Sequence, residues 1–130
     1  MHASVIAIKD HPVSQKAAAL LMESSKKVGN AFQIYQHQAT IPEEVDSKLK
    51  EYNIKWNYPW EGSIVDFATG LTKSAYRTAN RNARIACSLS HYTLWKNAAA
   101  DSSPHMILEH DAKFIAKFDT GLLNLSLIHI

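Results

Sequence analysis

Residues Val5 to Ile8 form a short apolar run that stops at Lys9, Asp10 and His11. From Pro12 a helical pattern of Ala17, Ala18, Leu20, Leu21, Ser24 and Val28 then leads to Gly29. An apolar run of this length bounded by polar residues reads as a buried central strand. Proline just inside a helix start and glycine just past its end is the asymmetry that helix termini favour. Strand, helix and stop make the first half of a βαβ unit, which directs the chain to an α/β fold with a parallel sheet. Phe32, Ile34 and Tyr35 supply the second strand, with weaker alternation.

The chain's 130 residues, 46% of them hydrophobic, suffice for one core. No repeat, low-complexity tract or linker marks a boundary, so a single domain is expected over 1–130. The formal net charge of +2 is too balanced for a nucleic-acid module. A lone cysteine, Cys87, excludes an intramolecular disulfide and favours a reducing, cytoplasmic setting. The opening residues are too short an apolar run for a signal segment, and no stretch approaches the roughly 20 residues of a membrane span. Leu122 to Ile130 is apolar without turn or cap signals and reads as a non-native or disordered tail on a domain incomplete at its C-terminus.

Thr40, Pro42 and Glu43 fit a capped helix start, giving a short peripheral helix through Leu49 to Tyr52. Between Asn53 and Asn80 the periodicity fades, which predicts a long loop crossed by one short strand or helix. Helical spacing returns from Ala83 to Ala99, with Ile85, Ala86, Leu89, Tyr92 and Ala99 near one stripe. Leu94, Trp95 and Ala98 broaden that stripe into a face wide enough to lie under a sheet. Asp101 to Pro104 break the helix, and His105 to Leu108 make a further strand. Phe114, Ile115 and Phe118 could continue that strand irregularly or turn into a short helix.

The run Met106 to Asp111, MILEHD, ends abruptly in Glu109, His110 and Asp111. In open α/β sheets the carboxyl ends of strands border the crevice where ligands bind. Side chains repeat their direction every second residue along a strand, so Glu109 and Asp111 could face one way and share a hard divalent cation such as Mg²⁺ or Mn²⁺. The plainer alternative is that Asp111 caps the next segment and Glu109 is solvated. No second His or Cys stands near His110 at a zinc-site spacing, which speaks against zinc.

Taken together, ARIACSLSHYTLW (Ala83 to Trp95) and HMILEHDAKF (His105 to Phe114) resemble the lipooligosaccharide and lipopolysaccharide biosynthesis glycosyltransferases, a family that also resembles collagen galactosyltransferase domains. Its pattern is a Gly-x-Ile-Gly-Cys-x-Leu-Ser-His-x-x-x-Trp helix followed by an aliphatic strand ending in Glu-Asp-Asp-Ala. Cys87, Leu89, Ser90, His91 and Trp95 match the first motif, and Glu109, Asp111 and Ala112 the second. Ala83 and Ala86 stand where the family has glycines, and His110 replaces the central Asp. Ile8, Lys9, Asp10 and His11 occupy the place of the family's Asn-Leu-Asp-Arg turn.

The resemblance implies a Rossmann-like GT-A domain that moves a sugar from a nucleotide-sugar donor, such as a UDP-sugar, to a glycan or other hydroxyl acceptor. It implies Mn²⁺ or Mg²⁺ at Glu109 and Asp111, with Ile8, Lys9, Asp10, Ser90, His91 and His110 around the donor. A divalent ion in such a site neutralises charge developing on the leaving diphosphate. The alternative is a noncatalytic fragment that binds a nucleotide or sugar.

Other residues have two readings each. Ser90 and His91 diverge by about 100° on a helix, so the pair can be packing or cleft-facing. Cys87, beside Ala86 on an apolar face, reads as buried core. Trp56, Tyr58 and Trp60 could stack on a sugar or simply anchor the loop. Lys73, Arg77, Arg81 and Arg84 could receive phosphate or form a solvated basic face.

Overall fold

The computed structural model describes residues 1–57, 63–74 and 79–121. Strands β1 (His2–Ala7), β2 (Ile34–Gln38) and β5 (His105–Glu109) form a parallel sheet in the order β2-β1-β5. Strand β1 is therefore central, as its apolar run predicts. Both of its faces are buried: Val5 and Ala7 pack with Ala18 and Leu21 of helix α1 (Pro12–Lys27). Ile6, on the opposite face, packs with Ala39 and with Leu94 of helix α3 (Arg81–Ala99). A strand covered by helices on both faces cannot alternate apolar with polar, which explains its continuous run.

Local chemistry fixes α1 at both ends. His11 is the N-cap, its Nδ1 accepting the Ser14 N–H at 3.2 Å, and Pro12 opens the first turn. At the other end Gly29 adopts φ +75°. Its N–H donates to the Lys26 carbonyl at 3.0 Å and the Asn30 N–H to the Ser25 carbonyl at 3.1 Å, the paired bonds of a Schellman stop.

The segment after β2 departs from expectation. Ile41, not Thr40, precedes a 3-10 turn, Pro42–Glu44, which leads into helix α2 (Val45–Glu51). The reciprocal bonds run between Ile41 and Glu44, whose carboxylate accepts the Ile41 N–H at 3.2 Å. Nor is this element peripheral. Val45 is fully buried with Ile85, Ala86 and Leu89, and Leu49, Tyr52, Ile54 and Trp56 close around them. The first half of α3 is thus covered by the α2 segment, Leu94 packs against the sheet, and Trp95 is 58% exposed.

Among the described residues of the 53–80 region two strands are present rather than one. β3 (Ser63–Asp66) and β4 (Leu71–Ser74) form an antiparallel hairpin. Asp66 organises its turn, accepting from the Ala68 and Gly70 N–H groups and from Lys73 Nζ at 2.6 Å. Beyond β5 the described residues, 110–121, form neither strand nor helix. The Phe114 N–H donates to Ser24 Oγ and the Phe118 N–H to Asn30 Oδ1. Both rings lie against Phe32, and Ile115 is exposed. The 122–130 tail lies outside the described residues.

Candidate functional site

A cavity of about 240 Å³ opens where the three parallel strands end. Ile6 and Ile8 form its floor, the Ala39–Pro42 connector after β2 one lip, and Glu109 and His110 after β5 the other. The first half of α3 closes it with Ala83, Ala86, Cys87, Ser90 and His91. The chain leaves β1 toward β2 on one side and reaches β5 on the other, so the cavity lies where the strand order reverses, the usual place for a ligand in such sheets. Its wall is mostly apolar with a few polar groups at one end, the composition of a small-molecule site.

Those polar groups meet through the two segments singled out above. His91 Nε2 lies 3.2 Å from Glu109 Oε1, joining the middle of α3 to the end of β5. Cys87, one helical turn before His91, completes a set of three whose ligand-type atoms all fall within 4.8 Å of one another. Cys87 is exposed at the rim rather than buried in the core. Its thiol is held above the ordinary pKa first by desolvation among the cleft atoms and second by the negative charge of Glu109.

Ser90 borders the cleft but is 1% exposed, and its hydroxyl is committed. It donates to the Ala86 carbonyl at 2.8 Å and accepts the Thr40 N–H at 2.9 Å, pinning the connector to α3. Thus Ser90 holds a wall of the cleft in place. The loop after β1 is clamped in a similar way. The Ile8 N–H donates to the buried Ser14 Oγ at 2.9 Å, and Gln15 Nε2 donates to the Ile8 carbonyl at 2.8 Å. Only the Ile8 side chain remains for the cleft.

The other expected site residues disperse. Lys9 and Asp10, the latter at φ 57°, border a separate open depression with Pro12, Gln15 and Gln36. Asp111 lines a hollow on the α1 side with Glu23, Lys27 and Lys113, and His110 stands between that hollow and the main cleft. The physical reason is that β5 ends at Glu109. The Ala112 N–H turns back to the Glu109 carbonyl at 3.1 Å, so the two-residue alternation does not carry to Asp111.

Arg81 and Arg84 stand three apart at the start of α3 and share a helical face, but Lys73 is in the hairpin, tied to Asp66, so it is not part of that face; Arg77 is outside the described residues. Trp56 packs against the Val45 cluster as an anchor, and Tyr58 and Trp60 are likewise outside the described residues. Sequence reasoning overlooked the Ala39–Pro42 lip and read Cys87 as core rather than as part of the cleft rim. The signal for the latter was present, since residues four apart share a helix face.

Residues 30–127 match the family model described as glycosyltransferase family 25 (LPS biosynthesis protein). No curated protein and no solved structure matches the chain. Among the described residues no helix is long and apolar enough to cross a membrane.

Proposed function

The chain belongs to glycosyltransferase family 25, and from that premise we propose that its cleft seats a nucleotide-sugar donor, as in a GT-A-type half-domain, for transfer of the sugar to a hydroxyl acceptor. The observation that carries this reading is the convergence of all three parallel strand ends, α3 and the β5 terminus on one cavity. Within it, Ile6, Ile8, Ile41 and Pro42 offer an apolar seat that excludes water from the donor, and His91 with Glu109 supplies the polar end. Attack by an acceptor hydroxyl benefits from a nearby base and from a site that holds the two reactants in register.

The family resemblance implies Mn²⁺ or Mg²⁺, hard ions that call for a cradle of oxygens. Glu109 and Asp111 border different hollows, so that oxygen-rich pair is not assembled in this geometry. The donor reading therefore rests on the cavity and not on the ion. A second reading, binding without turnover, draws support from Ala83 and Ala86, whose methyl groups line the cavity where the resembled motif has glycines.

Calorimetry of UDP with the native chain and with Ala83→Trp tests the donor seat. Ala83 is exposed on the cleft face of α3, so the bulky ring obstructs the cavity without entering the core. Saturable binding that disappears in the variant supports the proposal, and no binding by folded native protein overturns it. UDP release from UDP-sugars, dependent on an added glycan acceptor, then separates a transferase from a binding module.

A further inference from the structure

Cys87, His91 and Glu109 converge at the polar end of the cleft, and the oxygen-rich metal site implied by the family resemblance does not account for a thiol and an imidazole meeting the carboxylate there. We propose that these three residues bind a borderline divalent cation of the zinc type at the polar end of the cleft, completing its coordination with a water or an oxygen of whatever occupies the cavity.

The chemistry of the donor set argues first. A thiolate, an imidazole and one carboxylate are the mixture that suits Zn²⁺, whereas Mn²⁺ and Mg²⁺ prefer all-oxygen shells. Geometry agrees. Two ligands on a tetrahedral Zn²⁺, each with a bond of roughly 2.0–2.2 Å, stand about 3.4 Å apart. His91 Nε2 and Glu109 Oε1 are 3.2 Å apart, so an ion can enter between them with little rearrangement. The third atom lies within 4.8 Å of both, and rotation of the short Cys87 side chain can close the remaining gap.

The scaffold also agrees. Cys87 and His91 are one turn apart on a long helix whose buried face is fixed by Ile85, Ala86 and Leu89, so their relative placement is rigid. Glu109 ends a strand held in register against β1, with Ile6 opposite it. All three residues line the same cavity, which leaves an open position facing a ligand. Binding displaces the Cys87 thiol proton to solvent and neutralises the negative charge that Glu109 brings to the cleft. Among the described residues this is the set of three whose atoms approach closely enough to hold one ion.

The test is titration of the intact chain with Co²⁺ and Zn²⁺ alone. Bound Co²⁺ is expected at one equivalent with the intense near-ultraviolet charge-transfer band of a cobalt–thiolate bond, displaced by Zn²⁺ and unaffected by excess Mg²⁺. In Cys87→Ser the band disappears, and in Cys87→Ser and Glu109→Gln the Zn²⁺ affinity falls at least about tenfold, a loss of the size seen when metal sites are disrupted. Circular dichroism verifies that each variant is folded. The proposal is overturned by native protein that binds no Co²⁺, by bound Co²⁺ without the thiolate band, or by folded variants that bind Zn²⁺ as the native chain does. None of these readings depends on UDP binding, so failure here leaves the donor proposal standing.

Discussion

Replacing Ser90 with alanine separates a strut from a ligand contact. The hydroxyl accepts the Thr40 N–H at 2.9 Å, and its removal leaves that half-buried donor without an acceptor. An unsatisfied donor of this kind costs about 1–3 kcal/mol. Alanine returns part of this through its better helix propensity, by no more than about 0.7 kcal/mol. The hydrogen bond from Ser90 to the Ala86 carbonyl is a minor loss, because that carbonyl already serves the helix ladder. A net destabilisation of about 1–2 kcal/mol should lower the urea midpoint by about 0.3–2 M, given a slope of about 1–3 kcal/mol per molar.

Ser88→Ala is the matched control. Ser88 also bonds back one turn, to the Arg84 carbonyl at 3.2 Å, but among the described residues no bond from its hydroxyl to another segment is seen, and the variant's stability should hold within about 0.5 kcal/mol. Equal midpoints for native protein and Ser90→Ala, at unchanged slope, would refute the strut and return Ser90 to the ligand-contacting role implied by the family resemblance.

Two further outcomes follow from the loops that lead into the two edge strands, β2 and β5. Gly29→Ala should cost about 1–2 kcal/mol in thermal or chemical melts through backbone strain alone, because φ is +75° and a methyl there meets nothing within 4 Å. A neutral result would mean that the Schellman stop is not held. At the amino end of β5, the Ser103 hydroxyl and N–H and the His105 ring bond to Asp101 and hold its carboxyl well below the usual carboxylate range. With the folded pKa below the unfolded one, that contribution is complete above the unfolded value of about 4 and is lost progressively as pH falls through the acid range. Asp101→Asn should therefore flatten the acid limb of the stability–pH curve, and an acid limb identical to that of native protein would contradict this.

Where local chemistry decides, the sequence was readable. Pro12, Gly29 and the apolar Val5–Ile8 run announce β1 and α1, and His105–Leu108 announces β5, because these signals act within a few residues. The apolar face of α3 was visible too, but periodicity reports that a face is covered and not by what. Here the cover is the α2 segment from forty residues upstream. The hairpin was missed because Ile64, Val65, Phe67 and Leu71 are exposed and so show no alternation against a core. Alternation misplaced Asp111 because it holds only while a strand lasts, and β5 ends at Glu109. The meeting of Cys87 and His91 with Glu109 needed the sheet register, which fixes where β5 ends relative to α3.

The parallel pairing of β1 with β5 has a consequence for how the molecule comes together. His2 lies opposite His105, so one half of the sheet joins segments roughly a hundred residues apart, and the entropy of closing that loop must be met before any of its contacts stabilise the chain. The β1-α1-β2 unit, by contrast, is local and can form early. The cleft is lined from both halves of the sheet, so it cannot be complete before β5 pairs with β1. A ligand that recognises only the finished cleft should slow unfolding while leaving the refolding rate almost unchanged, and stopped-flow kinetics with and without ligand checks this.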